Sequence, residues 1–360
     1  MKAELSAFDV HFLVKELKSL EGGKLDSIFA SGKQEWYFQF HKQGKQILSI
    51  HLPGFMFLTE QRQESQPSTF CMFLRKRIEQ SRVLTIEQYA FERVVTMRLQ
   101  SKEAQYILVI ELFSKGNLIL CDEAMKILGA LEPQEWKSRT IKKDEQYKYP
   151  ERAFSILSCT HEQLAVCFQG SSRATIAASL ATDVGLSGPL AEEVCVRAGI
   201  TKSNSPKQIG LEESKKILTH FAQMLALPLE PRIYTTTESK HVTPVRFRMY
   251  EGLQEQSFES FSAALGHYWS ALPMTIENPQ RKKLLAILEA QRKQLTDVEQ
   301  DITLHQSIGD YLYEHYQEFN DFLQEAARLR KQNKLNPEIV KGIRILSVDS
   351  KKSAVTIEQE

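Results

Sequence analysis

The sequence predicts an α+β fold: a strand-rich N-terminal domain of two small sheets, then a helical domain, then a coiled-coil arm. Three observations predict it. Short runs of alternating apolar residues, separated by turn residues, fill the chain up to about residue 150. From about Ser155 to Leu227 the composition turns helical and rich in small residues. From Leu284 onward, apolar residues recur at alternating spacings of four and three, the period of a coiled-coil seam. With 360 residues, 42% of them hydrophobic, the chain can supply more than one core.

The first element is a helix over Ala7 to Leu20, where Phe8, Phe12, Leu13, Leu17 and Leu20 share a face and Gly22-Gly23 ends the run. Short strands follow at Lys24 to Phe29, Glu35 to Phe40, Gln46 to Leu52 and Met56 to Leu58. A second helix, from about Ser68 to Gln80, separates these from Val94 to Leu99, Tyr106 to Leu112, Asn117 to Cys121 and Ile127 to Leu131. In the helical stretch, Gly185-Leu186-Ser187-Gly188-Pro189 lies between two helical patterns. The polar string YTTTESKHV then reads as a β-excursion or a loop, ahead of an amphipathic piece carrying Leu265, Tyr268 and Trp269.

Between Leu284 and Arg330 the seam has fourteen positions, of which ten are apolar. Ile308-Gly309-Asp310 interrupts it, which predicts a bend or break there. Asn336-Pro337 ends the register, and Ile343 to Val348 and Ala354 to Glu358 read as a hairpin around residues 349–352. The boundaries expected are 1–152 for the strand-rich domain, 153–228 for the helical domain and 229–277 for a segment returning to the first. The arm takes 278–335 and the closing hairpin 336–360. A seam needs a partner helix, so the expectation is a shortened chain, or pairing with a second arm.

The 46 basic and 45 acidic side chains nearly cancel, so any nucleic-acid site is a local patch. Five cysteines without a CxxC pair argue against a zinc knuckle and a disulfide framework and fit a reduced, cytoplasmic setting. No apolar stretch has secretory or membrane-spanning length, so no membrane partner is expected. GxxxxGK, GxGxxG, GxSxG and HExxH are all missing, and the nine histidines are dispersed. Neither catalysis, nor a metal, nor a cofactor is expected.

Three groups of residues could bind a ligand. Arg75, Lys76 and Arg77 span nearly a full helical turn, so one face should offer positive charge to phosphate; the plain alternative is a solvated helix face. Glu92 and Arg93 precede a strand, where adjacent side chains project to opposite sides; the alternative is a surface ion pair. Gly185 and Gly188 belong to a turn that could offer N–H groups to a phosphate, as in a helix-hairpin-helix, or be an ordinary interhelical turn.

The string ELFSKGNLILCDEAMKIL, from Glu111 to Leu128, resembles the E-x-F-x-x-G-N-x-I-L-x-D signature of the N-terminal domain of the NFACT family of ribosome quality-control proteins, the RqcH/NEMF group. FDVHFLVKEL resembles that family's opening helix, LRKRIEQSRV followed by FERVV its second helix and Asp-Arg pair, and Arg139 with Tyr147 and Pro150 its closing motif. The layout also resembles the N-domain of formamidopyrimidine-DNA glycosylases, whose N-terminal proline and zinc finger this chain lacks. The resemblance implies an adaptor that binds tRNA, rRNA and the large ribosomal subunit carrying a stalled peptidyl-tRNA, and that can support C-terminal tailing. It marks Asp9, Glu92 and Arg93 for tRNA handling. Glu92 stands where the family has Asp, and Asp144 where a glycine is expected. A protein-interaction or adhesion module, after relatives named fibronectin-binding, is the competing reading.

Overall fold

A computed structural model describes residues 4–62, 66–136, 139–152, 154–237, 239–271, 279–332, 334, 339–349 and 354–358. The chain divides into two compact units, Met1–Pro273 and Met274–Glu360. In the first unit, α1 (Ala7–Leu17) is followed by β1 (Lys24–Ser31), β2 (Glu35–His41), β3 (Lys45–His51) and β4 (Phe55–Thr59). Next come α2 (Thr69–Ile78), β5 (Arg82–Gln88), β6 (Val94–Gln100), β7 (Gln105–Glu111), β8 (Asn117–Asp122) and β9 (Ile127–Ala130), then the short pair β10 (Gln134–Glu135) and β11 (Thr140–Ile141).

The two small sheets expected from the sequence are the halves of one antiparallel sheet, ordered β4-β3-β2-β1-β5-β6-β7-β8-β9. They join through a single register pair, Lys24 with Arg82. The sequence reading missed β5 because a bulge shifts its register between Val83 and Thr85. Val83 and Ile86 therefore both face the core while Leu84 is exposed, and the period of two disappears. β7 shows the opposite case. Leu108 and Ile110 enter the core shared with α1, while Ile107 and Val109 enter a second core on the other face with Tyr147. Burial on both faces is why QYILVIE reads as a continuous apolar run.

Each polar member of the Glu111–Asp122 signature is used inside the fold. Glu111 takes a bidentate ion pair from Arg139 (2.7 and 3.1 Å) and a hydrogen bond from the Tyr147 hydroxyl (2.8 Å). Gly116 has φ +70°, and a Cβ there would lie 2.7 Å from Pro53 Cα, so glycine is required twice over. The Asn117 side chain exchanges two hydrogen bonds with the Glu132 backbone. Asp122 caps the turn into β9 by accepting from the Ala124 and Lys126 N–H groups. The signature is thus a stability device, and it makes no direct claim on a ligand.

The helical stretch folds as α3 (His161–Gln169), α4 (Ile176–Thr182), α5 (Gly188–Ala198) and α6 (Leu211–Leu225). The chain then forms β12 (Arg232–Thr235), β13 (Lys240–Thr243) and β14 (Gln254–Ser257), a small sheet ordered β13-β12-β14, and α7 (Phe261–Ala271). Helix α1 lies between two cores: Val10, Leu13 and Leu17 face the large sheet, whereas Phe8 and Phe12 pack with the α3–α6 helices. Helix α7 lies along β4 and delivers Trp269 onto His51, ring centroids 4.3 Å apart, with Phe57 on the imidazole at 5.5 Å.

The second unit contains α8 (Pro279–Glu314), α9 (Tyr316–Lys331) and the strands β15 (Ile339–Val340), β16 (Ile343–Asp349) and β17 (Ala354–Ile357). Of the bend or break expected at Gly309, a break does not occur: α8 runs through it and the interruption falls at His315. One glycine costs a helix about 1 kcal/mol, which a helix of 36 residues absorbs. Beyond His315 the buried face keeps one seam position, Ala326, and departs from the seam at Phe322. Phe322 and Ala326 are buried with Val340 and Ile345, whereas Leu323, a seam position in the sequence reading, is 58% exposed. Leu295, Val298 and Ile302 on α8 are exposed as well. Strands β16 and β17 pair as the expected hairpin; Asn336-Pro337 and residues 350–353 lie outside the described residues.

Candidate functional site

The start of α1 is built by a capping box. Ser6 Oγ accepts from the Asp9 N–H (3.2 Å), and the Asp9 carboxylate accepts from both the N–H and the hydroxyl of Ser6 (2.6 Å each). This holds Asp9, almost fully buried, in the wall of a cavity of about 270 Å³ that also exposes Ser187, His241 and Tyr250. A second cavity of about 670 Å³ shares Glu4, Ser6 and Ser187 with the first, and its polar wall comes from Arg93, Arg152, Asp183 and Gly185. Together they form one cleft between the N-terminus of α1 and the turn that leads into α5.

Glu92 and Arg93 sit on the tight loop between β5 and β6, and they pair with different partners. Arg93 forms an ion pair with Glu4, and Glu92 with Arg152. Burial raises the Glu92 carboxyl above its ordinary pKa, and the Arg152 and Arg93 cations oppose that shift. Arg152 also donates to the Gly185 carbonyl at 3.3 Å, which ties the β5–β6 loop to the turn before α5. Gly185 has φ +84°, and the Arg152 guanidinium fills the space a Cβ would take. Gly188, the first residue of α5, has open space on that side.

The structure thus brings Asp9 to the first cavity and Arg93 and Gly185 to the second, with Ser187 lining both; Gly188 lines neither. Glu92 reaches the second through Arg152. Arg75, Lys76 and Arg77 line none of these cavities. Two of them are partly spent on their own fold: Arg75 Nε donates to the Ile28 carbonyl (2.7 Å) and Arg77 lies over the Phe73 ring (4.0 Å). Lys76 is exposed.

Sequence reading missed Glu4 and Arg152. Arg152 had one available signal: a half-buried acid on a strand-end loop needs a cation, and its neighbour Arg93 points the other way. Among the described residues no group of three or more His, Cys, Asp or Glu side chains could hold a metal, and no helix is long and apolar enough to cross a membrane.

Comparison with known proteins bears on this architecture. Residues 6–348 match the NFACT N-terminal and middle domains. The archaeal Rqc2 homolog aRqcH of Methanocaldococcus jannaschii is 26% identical over 358 residues, 92% of this chain and 53% of that protein. The Rqc2 homolog RqcH of Bacillus subtilis is 26% identical over 274 residues, 70% of this chain and 46% of that one. The chain therefore spans about half the length of these relatives. Among solved structures, the fibrinogen binding protein of Staphylococcus aureus superposes with a TM-score of 0.61 at 17% identity, covering 74% of this chain and 99% of the other. The N-terminal part of the fibronectin/fibrinogen-binding protein of Streptococcus suis gives 0.59 at 22% identity, with the same coverage. These two likenesses are of fold. The match over residues 6–348, in the order of elements described above, places the chain in the NFACT family.

Proposed function

We propose that the chain acts in ribosome quality control as an RNA-binding adaptor, with tRNA held at the cleft between the start of α1 and the turn into α5. The observation that carries this reading is the convergence of Asp9, Arg93, Arg152 and Gly185 on that cleft. The relatives named as Rqc2 homologues and as ribosome quality control complex subunits support the setting, and the partner in this reading is the large ribosomal subunit carrying a stalled peptidyl-tRNA. The chemistry suits phosphate. Half-exposed ion pairs such as Arg93 with Glu4 contribute about 0–1 kcal/mol, so exchanging a carboxylate for a phosphate oxygen is inexpensive. The open side of Gly188 lets a backbone approach the N-terminus of α5. Lys76, with Arg75 and Arg77, offers a separate positive surface for rRNA. In the tailing role of the family, Glu92 positions Arg152 in place of the family's Asp.

Titration of labelled tRNA at several salt concentrations tests this. Arg93→Ala is expected to weaken binding about tenfold and to reduce the slope of log affinity against log salt by roughly 1, as loss of one charge-assisted phosphate contact requires. Glu4→Ala should act in the opposite direction, because it frees the same guanidinium. Unchanged affinity and slope in both variants contradict the assignment.

A further inference from the structure

The loop that carries Glu92 and Arg93 also carries a feature that ion pairing leaves unexplained. Tyr89, at its start, is 38% exposed and lies parallel to Tyr149, with ring centroids 3.6 Å apart and planes 9° apart. Such near face-to-face overlap is not what two ring quadrupoles favour on their own, so the surrounding fold holds it in place.

The hold comes from both sides. On the Tyr149 side, Tyr147 meets the ring edge-on at 5.1 Å, and its own hydroxyl is fixed by Glu111 in the buried cluster with Arg139. On the Tyr89 side, the loop is fastened at several residues. Phe91 is buried edge-on against Phe221 of α6 at 5.2 Å. The Tyr89 N–H bonds the Val94 carbonyl and the Glu92 N–H bonds the Tyr89 carbonyl, both at 3.0 Å. The Gln88 amide reaches the Ala7 and Glu92 carbonyls, each at 2.8 Å. Ala90 is held at φ +46°, a conformation that a residue with a Cβ takes at a cost. A strained, over-determined loop that begins with a partly exposed aromatic ring is a rigid display.

What the ring displays itself to follows from its neighbours. Tyr89 lines a cavity of about 350 Å³ together with Glu92, Glu151, Arg152 and Phe154. Arg152 joins this cavity to the cleft that holds Arg93 and Gly185. A flat π face, a guanidinium within reach for phosphate and a carboxylate able to accept from an amino group are the complement of an unpaired nucleotide.

We propose that the exposed face of the Tyr89–Tyr149 pair is a stacking platform for one unpaired base of the bound RNA, with Arg152 beside it for that nucleotide's phosphate. This rests on the RNA-binding reading above and deepens it. The test titrates a labelled tRNA pool against the whole chain and its Tyr89→Ala and Tyr89→Phe variants, at several salt concentrations, with thermal unfolding recorded for each. Tyr89→Ala should weaken binding on the order of tenfold with the salt slope unchanged, because a stacked base carries no released counterions. Tyr89→Phe keeps the π face and should bind as the unsubstituted chain does. Three results overturn the platform: an alanine variant that binds normally, one whose loss changes the salt slope or tracks lowered thermal stability, or a phenylalanine variant as weak as alanine. If the unsubstituted chain fails to bind tRNA, the reading underneath fails and the platform with it. Normal binding by the unsubstituted chain and by Tyr89→Ala sinks the platform alone.

Discussion

Replacing Arg139 with alanine is expected to destabilise the N-terminal unit by about 3–5 kcal/mol, the usual consequence of removing one partner from a buried ion pair. Both side chains are sequestered, Arg139 at 8% exposure and Glu111 at 2%, and the contact is bidentate. Burial alone would weaken the Arg139 cation, but the Glu111 carboxylate outweighs that and holds the guanidinium above its ordinary pKa. Tyr147 is pushed up by burial and by Glu111, so its hydroxyl remains a donor. Without Arg139, the carboxylate retains one hydrogen bond and no countercharge. Thermal unfolding should show a midpoint lower on the order of 10 °C. A double substitution, Glu111→Leu with Arg139→Met, should recover part of the loss, since the cost lies in the orphaned charge. A single alanine variant as stable as the parent chain would mean that the cluster is not a staple.

The second large effect is one of pH. Burial lowers the His51 pKa to about 4, from an ordinary value of 6.5. The ring is enclosed by Phe57 and Trp269; Nε2 meets Ser49 Oγ at 2.8 Å, and Nδ1 is buried without a hydrogen-bond partner. An imidazolium there would have a proton with no acceptor. Between pH 6.5 and 4 the unfolded chain takes up a proton that the folded chain refuses, so stability is full above 6.5 and is lost as the pH falls through about 4. The shift corresponds to roughly 3 kcal/mol. His11, lowered by burial and by Lys15, acts in the same direction; Glu92, raised by burial, acts against it. Denaturant unfolding at pH 7 and pH 4.5 should therefore give a smaller difference for His51→Gln than for the parent chain. Equal differences contradict the assignment.

The fold was legible where one residue type has one physical use. Gly116, Asn117 and Asp122 stand at turns that need them, the helical period of α1 survives because that element keeps regular geometry, and β7 and β8 read as continuous apolar runs because both their faces are buried. It was illegible where geometry breaks the period. The bulge in β5 hides a strand, and past the interruption at His315 Phe322 is buried and Leu323 exposed, while Ala326 keeps its seam position. The site divides in the same way. Glu92, Arg93 and Gly185 carry local signals, a strand-end pair and a turn glycine, whereas Asp9 was marked by the family resemblance. Glu4, Arg152 and Tyr89 matter because of partners 89, 60 and 60 positions away in the chain, and no spacing announces that.

Photocrosslinking of tRNA bound to the chain, with the crosslinked residues identified by mass spectrometry, tests the central claim most directly. The cleft assignment predicts crosslinks on residues 89–93, on Arg152 and on residues 185–188. Crosslinks confined to α2 around Arg75, Lys76 and Arg77, with none in those segments, would contradict it.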